Sequence, residues 1–297
     1  MSTVNNFQAR ICFKLLQIKY SMQFLKHKDN CIVINGIIKP HGFNLMNENW
    51  GDDINLILPS LMTGKKTVPY NILMPSVRDQ VTENIMCIGS IINWLCDPKS
   101  IIWGSGAISD KIPLQQAPCK IMAVRGPLTY RYLTSLGIPC PQIYGDPALL
   151  LPQYYQPVVR SEKFIGIIPH VTELNHPAIT RYKNTPNIRI INLRDYAGDW
   201  KNIINEVNQC KYILSSSLHG LIIAAAYGVP YVWIQLSDHI IGGEFKYHDF
   251  FKSIGQDILP NKFSGSTFDF PRLEKSAAKL HKAKINVSSL MESCPFL

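Results

Sequence analysis

Short runs of β-branched residues alternate with helix-like patterns along nearly the whole chain, and this alternation limits the fold more than any other feature. Strands joined through helices run parallel, so the pattern predicts an α/β protein with parallel sheets covered by helices on both faces. In the first half, strands are expected at 32–37, 67–72, 85–88, 101–103, 121–124 and 142–144. Helices are expected there at 53–62, 90–96 and 127–136. The last helix is bounded by Pro127 in its first turn and Gly137 at its stop. The stretch 152–160 holds prolines, tyrosines and glutamines without periodicity and reads as a linker. A second series follows, with strands expected at 164–168, 188–193, 212–214 and 231–234. Its helices are expected at 199–208, 218–227, 244–254 and 272–281.

A chain of 297 residues has the length of two such units. The division expected is 1–151, a linker at 152–163, and 164–297: two Rossmann-like domains facing each other across a cleft. Ligands of open α/β sheets bind beyond the carboxyl ends of the strands, so residues just after strands are the candidates for chemistry.

Thirty Lys and Arg against 21 Asp and Glu leave a net charge of +9. The surplus suggests anionic partners, but its scattered placement, with no long basic run, argues against nucleic acid. Eight cysteines show neither a C-x-x-C pair nor metal-ligand spacing; they read as reduced, mostly buried thiols, and no metal is expected. No apolar run reaches the ~18 residues that a spanning helix needs. Residues 1–30 lack the pattern of a cleavable signal. They read as a basic amphipathic helix, with Lys14, Lys19, Lys26 and Lys28 among Ile11, Phe13, Leu15, Leu16, Ile18 and Phe24. Such a helix can lie on an anionic bilayer or dock on its own domain. A cytoplasmic protein is expected, with contact to the inner membrane face as an open alternative.

Three segments carry the strongest chemical signals. Ser215-Ser216-Ser217-Leu218-His219-Gly220 joins a strand to an apolar helix, so free backbone N–H groups at the helix start form an anion site. A histidine beside such a site can donate a proton; the alternative is a serine-rich cap with a locally bonded histidine. Asn49-Trp50-Gly51-Asp52-Asp53 follows the first strand, where Asp52 either caps a helix or orients or deprotonates a sugar hydroxyl. Arg125, where a strand meets the helix at Pro127, is suited to a two-point grip on carboxylate or phosphate, or to a structural salt bridge. Lesser segments are Trp103-Gly104-Ser105-Gly106, too short for a dinucleotide fingerprint; Gly145-Asp146-Pro147, a helix cap; and His170, at the end of the second domain's first strand, facing the cleft. The element Gly242-Gly243-Glu244-Phe245-Lys246-Tyr247-His248-Asp249 adds two glycines, a lysine and a histidine.

In this order these segments resemble the polysaccharide pyruvyl transferase family, over about residues 31–256, and the bacterial exopolysaccharide branch in particular. The resemblance implies a glycosyltransferase-B-like fold and transfer of a pyruvyl unit from phosphoenolpyruvate to a sugar of a polysaccharide or lipid-linked precursor, usually as a ketal, with release of phosphate and no other cofactor. It further implies His219 as general acid and Asp52 as orienting group or base. Arg125, Ser217, Leu218 and Gly220 would hold phosphoenolpyruvate, and Asn49, Gly51, Ser105 and His170 the acceptor. The family's Arg-Leu-His falls on Ser217-Leu218-His219, so arginine is replaced by serine, and Lys246 is expected to supply the missing charge. Two rivals share the architecture: a nucleotide-sugar glycosyltransferase, and an inactive glycan- or membrane-binding scaffold.

Overall fold

The structure, a computed structural model, describes residues 2–40, 42–45, 49–157, 163–263, 265, 267–280 and 286–297; of 2–7, 29 and 278–280 it describes the backbone alone. Part of the expected linker, 158–162, and His281 of the expected last helix lie outside the described residues.

The first lobe opens with helix α1 (Ser2–Lys26). It then alternates β1 (Cys31–Ile34), α2 (Trp50–Thr63), β2 (Lys66–Pro69), α3 (Pro75–Arg78), β3 (Asn84–Met86), α4 (Ile92–Leu95), β4 (Ser100–Trp103), β5 (Lys120–Ala123) and α5 (Pro127–Ser135). The second lobe runs β6 (Phe164–Ile168), α6 (Pro177–Thr180), β7 (Ile188–Ile190), α7 (Lys201–Asn208), β8 (Cys210–Ser215), α8 (Leu218–Ala226), β9 (Tyr231–Gln235), α9 (Phe245–Ser253), β10 (Asn261–Lys262), α10 (Phe270–Leu280) and α11 (Ser288–Glu292). Each lobe holds a parallel five-stranded sheet, ordered β2-β1-β3-β4-β5 and β10-β9-β8-β6-β7. In both, the first strand of the lobe lies between the second and the third, so the strand order reverses at β1/β3 and at β6/β8.

Strand burial follows from helices on both faces. In the first sheet Ile34, Ile85, Ile101 and Trp103 join one apolar cluster, while Val33 and Val68, and Met86 and Ile102, pack in others on the opposite face. The cluster of Ile34 and Trp103 continues through α2, through the turn at 147–153, and into Leu221, Ile222 and Ala225 of α8. One apolar core therefore runs through both lobes. Residues 288–296 also return to the first lobe: Trp103 Nε1 donates to the Leu290 carbonyl at 2.9 Å, and the Phe296 ring meets Trp103 edge-on at 5.2 Å.

Several expected bounds need correction, three of them for reasons that particular residues give. Helix α2 begins at Trp50, not Asp53, because Trp50 is buried and its N–H donates to the Leu193 carbonyl of the other lobe at 2.8 Å. The segment 142–144 forms no strand; a single bridge from Tyr144 to Val124 is followed at once by Gly145, whose φ of 149° only glycine adopts readily. Strand β2 stops at Pro69, where a missing N–H ends the ladder. Among the described residues, no helix is long and apolar enough to cross a membrane.

Candidate active site

A cavity of about 740 Å³ lies between the lobes, within the range that holds small-molecule substrates. Its walls come from the carboxyl ends of strands flanking both reversal points. Asn49 and Asp52 follow β1, Ser90 and Ile91 follow β3, His170 and Glu173 follow β6, and Ser217, Leu218 and His219 follow β8. This is where open α/β sheets place ligands.

His219 sits in the first turn of α8, whose opening amides have no intrahelical acceptor. Its ring lies directly on Gly51 of α2. A Cβ at position 51 would fall 1.9 Å from His219 Nδ1, so any side chain there would displace the imidazole. Gly51 therefore serves close packing between lobes; it does not line the cavity. Among the described residues, neither His219 nitrogen has a hydrogen-bond partner. Burial, aided by Lys246, Arg125 and His170, pushes the imidazole down to about 3, so the unliganded ring is neutral near pH 7. His170, whose Nδ1 lies 2.7 Å from Thr172 Oγ1, is likewise pushed down to about 4 by burial, Lys246 and Arg194.

Asp52 Oδ2 accepts from Asn49 Nδ2 at 2.7 Å. Burial raises its carboxyl to about 7; the Asn49 hydrogen bond opposes this, Asp53 adds to it, and Lys39 and Lys246 also oppose it. A carboxyl so placed divides between its two forms at neutral pH, as suits a group that must gain and lose a proton.

Lys246, in the first turn of α9, is 7% exposed and lines the cavity. Among the described residues its ammonium makes no hydrogen bond and no ion pair; its one close partner is the Tyr247 ring, with the centroid at 5.4 Å. Burial and then Arg125 lower it to about 8, against the pull of Asp52 and Glu173. A desolvated cation that no described carboxylate pairs directly, beside a helix N-terminus, makes a receptor for an anionic ligand.

Helix α9 is fixed from both sides. Tyr247 donates to the Ser216 carbonyl at 2.6 Å and stacks on Trp233 at 4.5 Å. Asp249 crosses to the first lobe, where its carboxylate accepts from the amides of Leu128 (2.8 Å) and Thr129 (2.9 Å), from Thr129 Oγ1 (2.7 Å) and from Arg125 Nε (3.0 Å). It thereby caps α5 from another helix. The contact requires Gly126, since a Cβ there would lie 2.0 Å from the Asp249 carbonyl oxygen.

This arrangement also holds Arg125, the expected anion clamp. The guanidinium is wholly buried and outside the cavity lining. Besides the Asp249 pair, it donates through Nη2 to the Ala107 carbonyl at 2.7 Å and through Nη1 to Ser90 Oγ. The salt bridge named as the other reading of Arg125 is thus present, with Asp249. Ser105 and Gly220 are also placed outside the cavity wall. Ser105 is buried, and Gly220 packs so closely on Ser215 and Ile168 that a Cβ would approach Ser215 Oγ to 2.5 Å. His219, Asp52, Ser217, Leu218, Lys246, Asn49 and His170 do line it.

Glu173 is an addition that the sequence did not mark. Its carboxylate accepts from Ser216 Oγ and Ser237 Oγ, both at 2.6 Å, and Ser216 Oγ in turn accepts from the His170 amide at 2.9 Å. This bracket fixes the loops after β6, β8 and β9. Its only signal in the sequence is a carboxylate five residues past a strand end. Among the described residues, no group of three or more His, Cys, Asp or Glu side chains is placed to hold a metal ion.

Residues 90–239, which contain the β6–β9 loops and His219, match the family model for polysaccharide pyruvyl transferase. The chain belongs to that family. Among its relatives is the succinoglycan biosynthesis protein ExoV of Rhizobium meliloti (strain 1021), 27% identical over 242 residues, or 77% of this chain and 69% of that one. An uncharacterized protein of Acanthamoeba polyphaga mimivirus is 25% identical over 214 residues, 66% of this chain and 72% of that one. No solved structure matches the chain. Asn49, Asp52 and Lys246 fall outside the span of the pyruvyl transferase model, yet they share one cavity with His219 inside it.

Proposed function

We propose that this pyruvyl transferase takes phosphoenolpyruvate as donor and forms a cyclic pyruvate ketal on a sugar of a polysaccharide or its lipid-linked precursor. The reaction would take place on the cytoplasmic side, between lobes arranged as in the glycosyltransferase-B class. The observation that carries the reading is the buried Lys246 ammonium, without a direct ion pair among the described residues, in one cavity with His219 and Asp52.

In this reading Lys246 and the amides opening α8 hold the phosphate and carboxylate of the donor. The donor's negative charge raises the His219 imidazole from its low unliganded position and loads it with a proton. That proton passes to C3 of the enol, leaving a methyl group and a cationic C2. One sugar hydroxyl bonds to C2 and yields its proton to Asp52. The bond from C2 to the phosphate oxygen then breaks, and a second hydroxyl closes the ring. Of the two hydroxyl protons displaced, one balances the new methyl hydrogen and the other leaves with phosphate. Asn49 orients Asp52, and His170, neutral, remains available to hydrogen-bond the acceptor.

The test is incubation with phosphoenolpyruvate and candidate glycans. Phosphate release coupled to a pyruvyl mass gain on the glycan is expected. Phosphate release without glycan modification, or thermal stabilisation by nucleotide sugars but not by phosphoenolpyruvate, would overturn the reading. Lys246→Ala is expected to lose phosphoenolpyruvate binding, measured by calorimetry, and unchanged affinity would remove Lys246 from the site.

A pH dependence follows from the same group. The Lys246 ammonium is present below about 8 and lost above it, and Asp52 gains its negative charge as pH rises through about 7. Both changes disfavour an anion. The dissociation constant for phosphoenolpyruvate is therefore expected to rise with pH, adding through about 7 to the rise that proton uptake by His219 already causes and steepening above about 8, and Lys246→Arg should abolish that last part.

A further inference from the structure

Helix α1 is docked along one side only. Leu16 and Phe24 are buried, Ser21 Oγ accepts from the Met74 amide at 3.0 Å, and Gln23 donates to the Thr67 carbonyl at 3.1 Å. Of the two roles open to a basic amphipathic helix, this side fills the docking one. The opposite side is a second apolar stripe: Ile11 is 41% exposed, Leu15 48%, Ile18 45%, Met22 64% and Leu25 49%. At about 100° per residue these five fall within an arc of about 80°, roughly opposite Leu16 and Phe24, and span ~21 Å of helix. Exposed apolar residues aligned in this way, rather than scattered, mark a surface that is covered in use.

The charges choose what covers it. On the helical wheel Arg10 and Lys14 border the stripe on one side and Lys19 and Lys26 on the other, and the helix contains no Asp or Glu. Lys66 adds a further cation where its ammonium meets His27, just past the helix end. A second copy of α1 would fit the four-three spacing of the stripe, but would set these rows of cations against each other with no acidic partner. An anionic lipid surface matches both features: hydrocarbon for the stripe, and head-group phosphates for the cations on its shoulders.

We infer that α1 is a membrane-surface helix, which lays this protein on an anionic phospholipid bilayer with the Ile11–Leu25 stripe in the head-group layer. The inference rests on α1 alone and does not depend on the chemistry read in the cavity.

Co-sedimentation with vesicles tests it. The full chain is expected to pellet with vesicles of equimolar phosphatidylcholine and phosphatidylglycerol, to stay in solution with phosphatidylcholine alone, and to be released by salt. Two variants, Ile18→Asp with Met22→Asp, and Lys14→Glu with Lys19→Glu and Lys26→Glu, should each lower partitioning by roughly a hundredfold. All five positions are exposed, so both variants should keep the melting temperature. Should a variant unfold, the lipid and salt dependence of the unmodified chain still decides. Absence of vesicle binding, equal binding to neutral vesicles, or full binding by folded variants would overturn the inference. So would a dimer in solution that Ile18→Asp with Met22→Asp dissociates.

Discussion

His219→Ala is expected to leave the fold intact and lower turnover by about 100-fold or more, the scale on which a positioned proton donor acts. The fold should survive because the ring forms no hydrogen bond to the described residues and packs on the bare backbone of Gly51. Steady-state assays of phosphate release, with melting curves as the control, check this, and turnover near the unmodified level would remove His219 from the chemistry. A second readout separates proton donation from simple packing. Because the unliganded imidazole lies near 3, donor binding at neutral pH should draw a proton from solution. Calorimetry in buffers of different ionisation enthalpy would detect that uptake in the unmodified protein and its loss in the variant.

The largest effect on stability is expected at Asp249. Asp249→Asn keeps the shape but leaves the Arg125 guanidinium buried without its counter-ion, which costs about 3–5 kcal/mol. Weakening the cap on α5 adds to that, since capping interactions contribute ~1 kcal/mol. Denaturant unfolding should show the loss, and donor affinity should fall with it, because Lys246 lies one turn before Asp249 on α9. Combining Asp249→Asn with Arg125→Met is expected to recover part of the lost stability, because the stranded charge is then gone. Losses that simply add would show that the two residues act independently.

How legible these features are in the sequence depends on the range of the force involved. The parallel strands were legible because β-branched runs such as 101–103 and 231–234 are buried from both faces, and burial of that kind leaves a continuous apolar run. Strand β10, two residues long, was not, because Asn261 and Lys262 owe their place to pairing with Ile234 and Gln235 rather than to apolar burial. His219 and Asp52 could be found by their position just past strand ends. Lys246 is legible only through the family resemblance, since nothing local distinguishes it from the surface lysines. Arg125 shows the limit: its context suggests two roles, and its salt-bridge partner, Asp249, lies 124 positions away. Glu173 was missed for the same reason, its partners Ser216 and Ser237 lying 43 and 64 positions on.

The return of residues 288–296 to Trp103 bears on how the protein is made. The first lobe contains every strand of its sheet within the first 123 residues, yet the indole of Trp103 gains its hydrogen-bond acceptor and its edge-on aromatic neighbour only from Leu290 and Phe296. During synthesis Trp103 therefore lacks these two partners until residues 290–296 have emerged, well after every strand of its own sheet. A fragment that stops between the lobes would lack both of these partners of Trp103.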